Sequence, residues 1–136
     1  MNTYVETYSH EHDGFKILVK YQSWRTAVLN QGKENKTESI SYIEKHNESD
    51  EVFVLLKGKA YLIVGGDGDK PHSFEVLPMD LLKTYNVKAK VWHACLMSSD
   101  ASIYIVENID TGRENGEHYS LTAEEKQKIL GKVSLP

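Results

Sequence analysis

Hydrophobic and polar residues alternate along most of this 136-residue chain with a period of two, the signature of half-buried β-strands. Short apolar runs at 15–19 and 24–29 are followed by a polar loop at 30–36, Asn30-Gln31-Gly32-Lys33-Glu34-Asn35-Lys36. Extended pattern resumes at 39–44, and a polar turn is expected over 46–50. Runs at 52–56 and 60–64 flank Lys57-Gly58-Lys59, which predicts a hairpin with Gly58 at the tight position. After the turn Gly65-Gly66-Asp67-Gly68, segments 73–77, 82–87, 92–97 and 102–107 complete the set of expected strands. The period then changes. Thr122-Ala123-Glu124-Glu125 reads as a capping box, Ile129 and Leu130 supply an apolar edge, and Gly131 closes one short helix over about 122–130. Eight or more short strands with Gly-rich turns and one terminal helix predict an all-β sandwich or rolled barrel.

The alternation also sorts the chemistry. Tyr42, Glu44 and His46 share one strand face, and Glu51, Phe53 and Leu55 share a face of the next strand. Further along, His93 and Cys95 share a face, with Ala94 and Leu96 opposite. If these faces point inward, two imidazoles and a carboxylate meet inside the barrel, a donor set suited to iron, manganese, nickel or zinc. Against that stand blander readings: His46 as a solvated turn residue, His93 as a hydrogen-bonded core histidine, Cys95 as a small buried hydrophobe. Tyr42, Phe53, Trp24, Tyr85 and Trp92 are expected to line the mouth, the core or an interface, and Arg25 and Lys90 are candidate counter-charges for an anionic ligand. His10, His12 and Asp13 are suggestively spaced, but a mobile terminus explains them better.

His46, Glu51 and Gly58 satisfy His-x4-Glu-x6-Gly, and this stretch resembles the first motif of the cupin superfamily. His93 falls where the second cupin motif has its single histidine, so the resemblance runs over about residues 40–108. It implies a double-stranded β-helix (jelly-roll) barrel with a divalent metal in its mouth held by His46, Glu51 and His93, and often a homodimer. The chain departs from the pattern at several places. Glu44 stands where the family has its first ligand histidine, and it is expected as a fourth ligand or a general base. Glu38, Lys88, Lys90 and Met97 replace the motifs' opening Gly, their Pro and Gly, and a trailing Asn.

Composition narrows the classes. A net charge of −4 with no basic stripe argues against nucleic acid as partner. A single cysteine excludes an internal disulfide framework and suits a reducing, cytoplasmic setting. The chain begins without a signal-peptide pattern, and no apolar run is long enough for a membrane span. Residues 1–136 are expected to form one domain. The sequence thus predicts a small metal-binding barrel acting on a polar small molecule, a carboxylated one included, by isomerase, lyase or dioxygenase chemistry. The alternative is a non-catalytic binding or dimerising module with a degenerate metal site.

Overall fold

The structure, a computed structural model, describes residues 4–135. Ten strands precede one helix: β1 (Gly14–Tyr21), β2 (Trp24–Asn30), β3 (Tyr42–His46), β4 (Glu51–Lys57), β5 (Ala60–Val64), β6 (Glu75–Pro78), β7 (Thr84–Val87), β8 (His93–Met97), β9 (Ser102–Asn108), β10 (Gly116–Ser120) and α1 (Ala123–Leu130). They form two antiparallel five-stranded sheets, in the orders β1-β2-β9-β4-β7 and β10-β3-β8-β5-β6. This is the expected jelly roll.

Alternation decides what each strand buries. Between the sheets lie Ala27, Phe53, Leu55, Leu62, Cys95, Met97, Ile103 and Ile105, which close one end of the barrel. The opposite face of the second sheet carries Ile43, Ile63, Trp92 and Leu96, and α1 covers it through Ile129 with Leu121. The helix starts as the capping box predicted: Glu125 N donates to Thr122 Oγ1, and the Glu125 carboxylate accepts from Thr122 N. Among the described residues no helix is long and apolar enough to cross a membrane.

Three expectations need correction. Residues 57–59 do not close a hairpin, because β4 and β5 belong to different sheets. Gly58 (φ +78°) instead turns the chain from one sheet to the other, pressed against residue 101: a Cβ there would lie 2.5 Å from Ala101 Cα. The strand expected over 82–87 begins only at Thr84, since Leu82 adopts a left-handed backbone and donates its N–H to Leu55 O. The polar, largely exposed β10 gives no apolar alternation to read, and pairing with β3 is what extends it. The segment around His10 and His12 is tied down by Asn30 Nδ2, which donates to both carbonyls.

The second sheet opens at one place. β3 and β8 share a single residue pair, Glu44 with His93. Beyond it, side chains of the 30–36 loop meet the carbonyls of β8: Asn35 Nδ2 donates to Cys95 O and Gln31 Nε2 to Met97 O. The split forms a mouth into the barrel.

Replacing Gly58 by Ala adds a Cβ against backbone at a positive φ. Gly58→Ala is therefore expected to lower stability by roughly 3 kcal/mol, measured as a shift in urea midpoint. Gly112→Ala, where a Cβ meets nothing within 4 Å, is the control expected to change little.

Candidate metal centre

The short polar turn between β3 and β4 carries the chain from the second sheet to the first. It sets His46, the last residue of β3, opposite Glu51, the first of β4. The turn is held by its own side chains. Asp50 accepts from Ala89 N and Asn86 Nδ2, and these bonds lower its carboxyl pKa. Ser49 Oγ accepts from Asn108 N. His93, entering β8 beside Glu44, completes the cluster.

The distances are short. Glu51 Oε1 lies 3.0 Å from His93 Nε2 and 3.2 Å from His46 Nε2, and Glu44 Oε1 lies 3.7 Å from His46 Nε2. Ligand atoms of Glu44, His46 and His93 all fall within 4.8 Å of one another. Two donors bound to one ion at about 2.1 Å and about 90–110° apart would be roughly 3.0–3.4 Å from each other. The imidazole–Glu51 separations match such an edge.

Hydrogen bonding makes the case sharper. His93 Nδ1 lies 2.9 Å from Val91 O, and a carbonyl only accepts, so Nδ1 carries a hydrogen. In the neutral ring, Nε2 is then a lone pair facing a carboxylate oxygen at 3.0 Å. Two lone pairs do not share that distance without a cation, either a proton on the ring or a metal ion between them. A backbone carbonyl that fixes the tautomer in this way is the usual outer support of a metal-bound histidine. His46 lacks that support, since its Nδ1 is buried without a hydrogen-bond partner among the described residues.

The electrostatics follow from burial. Desolvation opposes charge on both imidazoles, but the hydrogen bond and negative charge of Glu51 outweigh it, and both pKa values rise. Desolvation likewise opposes ionised Glu51, yet the two histidines hold its carboxyl well below the usual range. Behind it, Arg25, Glu107 and Glu51 are register partners on β2, β9 and β4, forming a cross-strand row. Arg25 donates to Glu107 Oε2 from Nε at 2.8 Å and to Ile109 O and Thr111 O. Burial first, then Glu51, push the Glu107 carboxyl up to about 7 against the pull of Arg25.

Most residues singled out in the sequence meet here. Tyr42, Glu44, His46, Glu51, Phe53, His93 and Cys95 line one cavity of about 350 Å³, and Arg25 lies in its wall, already paired. Burial raises the Cys95 thiol pKa, so it is an inert wall group. Trp92 is a correction. It precedes His93 and so points to the other face of the sheet, 2 % exposed, where Lys45 lies over its ring and Nε1 donates to Gly68 O. Trp24 is exposed beside Tyr21, the Tyr85 hydroxyl accepts from Asp80 N, and neither they nor Lys90 line this cavity.

Two residues were missed. Glu107 was legible, because its alternation with the buried Ile103 and Ile105 turns it inward. His118 sits on the unforeseen β10, opposite Glu44 in register. Its Nε2 is 3.1 Å from Glu44 Oε2, and its ring stacks on Tyr42 at 4.6 Å and 11°.

No protein-family model matches the chain, and no curated protein matches it in sequence. Solved structures do match in fold. A cupin-2 domain containing protein from Shewanella frigidimarina is 14% identical over 74% of this chain and 84% of its own, with a TM-score of 0.52. Pac13, described as a unique nucleoside dehydratase, is 9% identical over 85% of this chain and 86% of its own, with a TM-score of 0.56. A variant of the Streptomyces Pac13 with uridine reaches 0.58 at 10% identity, with the same two coverages. The likeness is one of fold: the barrel is a cupin barrel, with a candidate His/Glu metal site in its mouth.

Arg25 compensates a carboxylate that Glu51 already crowds. Arg25→Ala is expected to lower stability by about 3 kcal/mol at pH 8, and by much less at pH 5. The sign follows from Glu107, whose folded pKa lies above its ordinary 4.5, so stability falls as pH rises from about 4.5 to 7. Urea unfolding of both proteins at the two pH values measures it; an equal loss at both would show that the charge of Glu107 is not what Arg25 compensates.

Proposed function

We propose that this protein is a metal-dependent cupin enzyme that moves protons on a small polar molecule, in an elimination or isomerisation. The observation that carries the reading is the convergence of two imidazoles on one buried carboxylate: His93 Nε2, oriented by Val91 O, and His46 Nε2 lie 3.0 and 3.2 Å from Glu51 Oε1. His46, Glu51 and His93 would hold the divalent ion, with iron, manganese, nickel and zinc all suited to the set. Bound there, such an ion supplies Lewis acidity toward a substrate oxygen or a water.

The chain's own residues supply the rest. Glu44 and His118, each about a third exposed at the mouth, form a close acid–base pair next to the imidazoles, 3.1 Å apart. Glu44 takes the proton at one carboxylate oxygen while His118 holds the other oxygen in place. Phe53, Leu29 and Ile105 make the wall that excludes water. The same two-histidine, one-carboxylate set also suits dioxygenase chemistry. The Glu44–His118 pair favours proton transfer, and the description of the similar Pac13 as a dehydratase agrees by analogy of fold.

A second reading, a non-catalytic binding pocket, is favoured by the buried, partnerless Nδ1 of His46 and by the bonds Glu51 already makes to two imidazoles. Metal content separates the two. Protein purified without an affinity tag is expected to carry, or take up, one equivalent of a divalent metal, and His93→Ala and His46→Ala each to lose it. Wild-type protein that stays empty in the presence of all four metals would overturn the enzyme reading.

Self-association belongs to the same proposal. On the outer face of the first sheet, β2, β9 and β4 present Trp24, Tyr104, Val106, Val52 and Val54 without a charged side chain, and Lys16 of β1 stands at the edge of the row. Three strands at about 4.8 Å and seven residues at about 3.4 Å make an apolar patch of roughly 350 Å², a fit centre for the roughly 800 Å² each partner of a standard interface buries. Sedimentation equilibrium is expected to return a dimer, and Val106→Lys a monomer; a monomeric wild type would remove the dimer from the proposal.

A further inference from the structure

The charge and shape of the cavity go beyond the metal site. We infer that it selects an uncharged compound with a flat ring and several hydroxyl groups, and turns away carboxylates and phosphates; this rests on the cavity being the ligand site of the proposed enzyme. Carboxylates outnumber the Lys and Arg cations that face it, with Glu34, Glu44, Glu51 and Glu107 against Arg25, while Glu117 and Lys45 are register partners paired on the other face of their sheet. Neither cation is available to a ligand. Arg25 is committed to Glu107 and to two backbone carbonyls. Lys45 projects to the other face of its sheet, where its ammonium lies over Trp92 and meets Gly68 O and Glu117.

A divalent ion at the histidines does not change the balance. Its two charges are matched by Glu44 and Glu51, and Arg25 is matched by Glu107, so an anionic ligand would gain little attraction and would meet Glu34, unpaired among the described residues. An anion-binding role for Arg25, expected from its position in the sequence, is therefore set aside.

Carboxylates facing a cavity accept hydrogen bonds from hydroxyls. A second, independent group points the same way. Thr111 is 5 % exposed and lines the cavity, and its Oγ1 has no hydrogen-bond partner among the described residues. A buried hydroxyl left without a partner is costly, and a ligand hydroxyl would satisfy it. The flat part of the ligand is read from the stacked Tyr42 and His118 rings on one sheet and the apolar Phe15 and Leu29 on the other. At about 350 Å³ the space suits one ring system with a hydroxylated arm.

The test uses twin probes that differ only in charge: uridine against uridine 5′-monophosphate, and phenyl β-D-glucoside against phenyl β-D-glucuronide. Each is titrated calorimetrically into chelator-treated and zinc-loaded protein. At least one uncharged probe is expected to bind about tenfold tighter than its anionic twin in both preparations. Thr111→Val is expected to weaken that probe about tenfold, while leaving the metal content unchanged. Anionic twins that bind as tightly or more tightly overturn the inference, as does failure of both uncharged probes to bind at about 10 mM. A protein that holds no metal yet keeps the preference would sink the metalloenzyme reading alone. One that holds a full equivalent and binds the twins equally would sink this inference alone.

Discussion

A carboxylate with almost no access to water sits at the seam of the two sheets, and its desolvation organises the site. Glu51 is 6 % exposed, in a strand whose next two inward residues are Phe53 and Leu55. An ion there must be compensated at short range or it would not stay charged. The compensation comes from two sides: imidazoles of His46 and His93 on the second sheet, and Glu107 with Arg25 across the first. Each partner is itself buried or half-buried and is stable only because the others are present. The cluster therefore behaves as one unit.

That unit depends on chain geometry more than on any one side chain. The turn at 47–50 changes sheets in four residues, which places the end of β3 against the start of β4. Asp50, Ser49 and the amides they bind hold the turn, so the approach of His46 to Glu51 is set by backbone. The single residue pair between β3 and β8 leaves the barrel open just beside the imidazoles. Splaying the strands would strand their backbone carbonyls, and the amide side chains of Gln31 and Asn35 meet two of them. The mouth is thus compatible with a fully bonded sheet edge.

Much of this was legible from period-two alternation, because burial on one face is what alternation records. It brought Glu44 with His46, Glu51 with Phe53, and His93 with Cys95 to the correct faces. The same rule, applied one residue earlier, turns Trp92 outward, and following aromatic character instead of register misplaced it. The Lys57–Lys59 segment has hairpin composition, but composition cannot say whether two successive strands pair or part. That depends on what the turn packs against, here Ala101. Strand β10 and His118 were hidden for a different reason. An edge strand with polar residues on both faces is held by backbone pairing with β3, and backbone pairing leaves no mark in side-chain pattern.

The tautomer of His93 links the fold to the chemistry. Val91 O lies in the short segment between Lys90, which takes a left-handed backbone at φ +71°, and the first residue of β8. Lys90 N donates to His46 O, so the segment that orients one imidazole is anchored to the backbone of the other. A lysine in that conformation costs about 1–2 kcal/mol relative to an ordinary backbone, and glycine, which the resembling motif has there, would avoid it. The conformation persists because it completes the bond to His46 and presents Val91 O to Nδ1. The His93 imidazole is thereby aimed by main chain at Glu51, and the backbone of His46 is fixed beside it. A cluster of surface histidines has no such constraint, and it is this constraint that favours a candidate metal site over a chance gathering of donors.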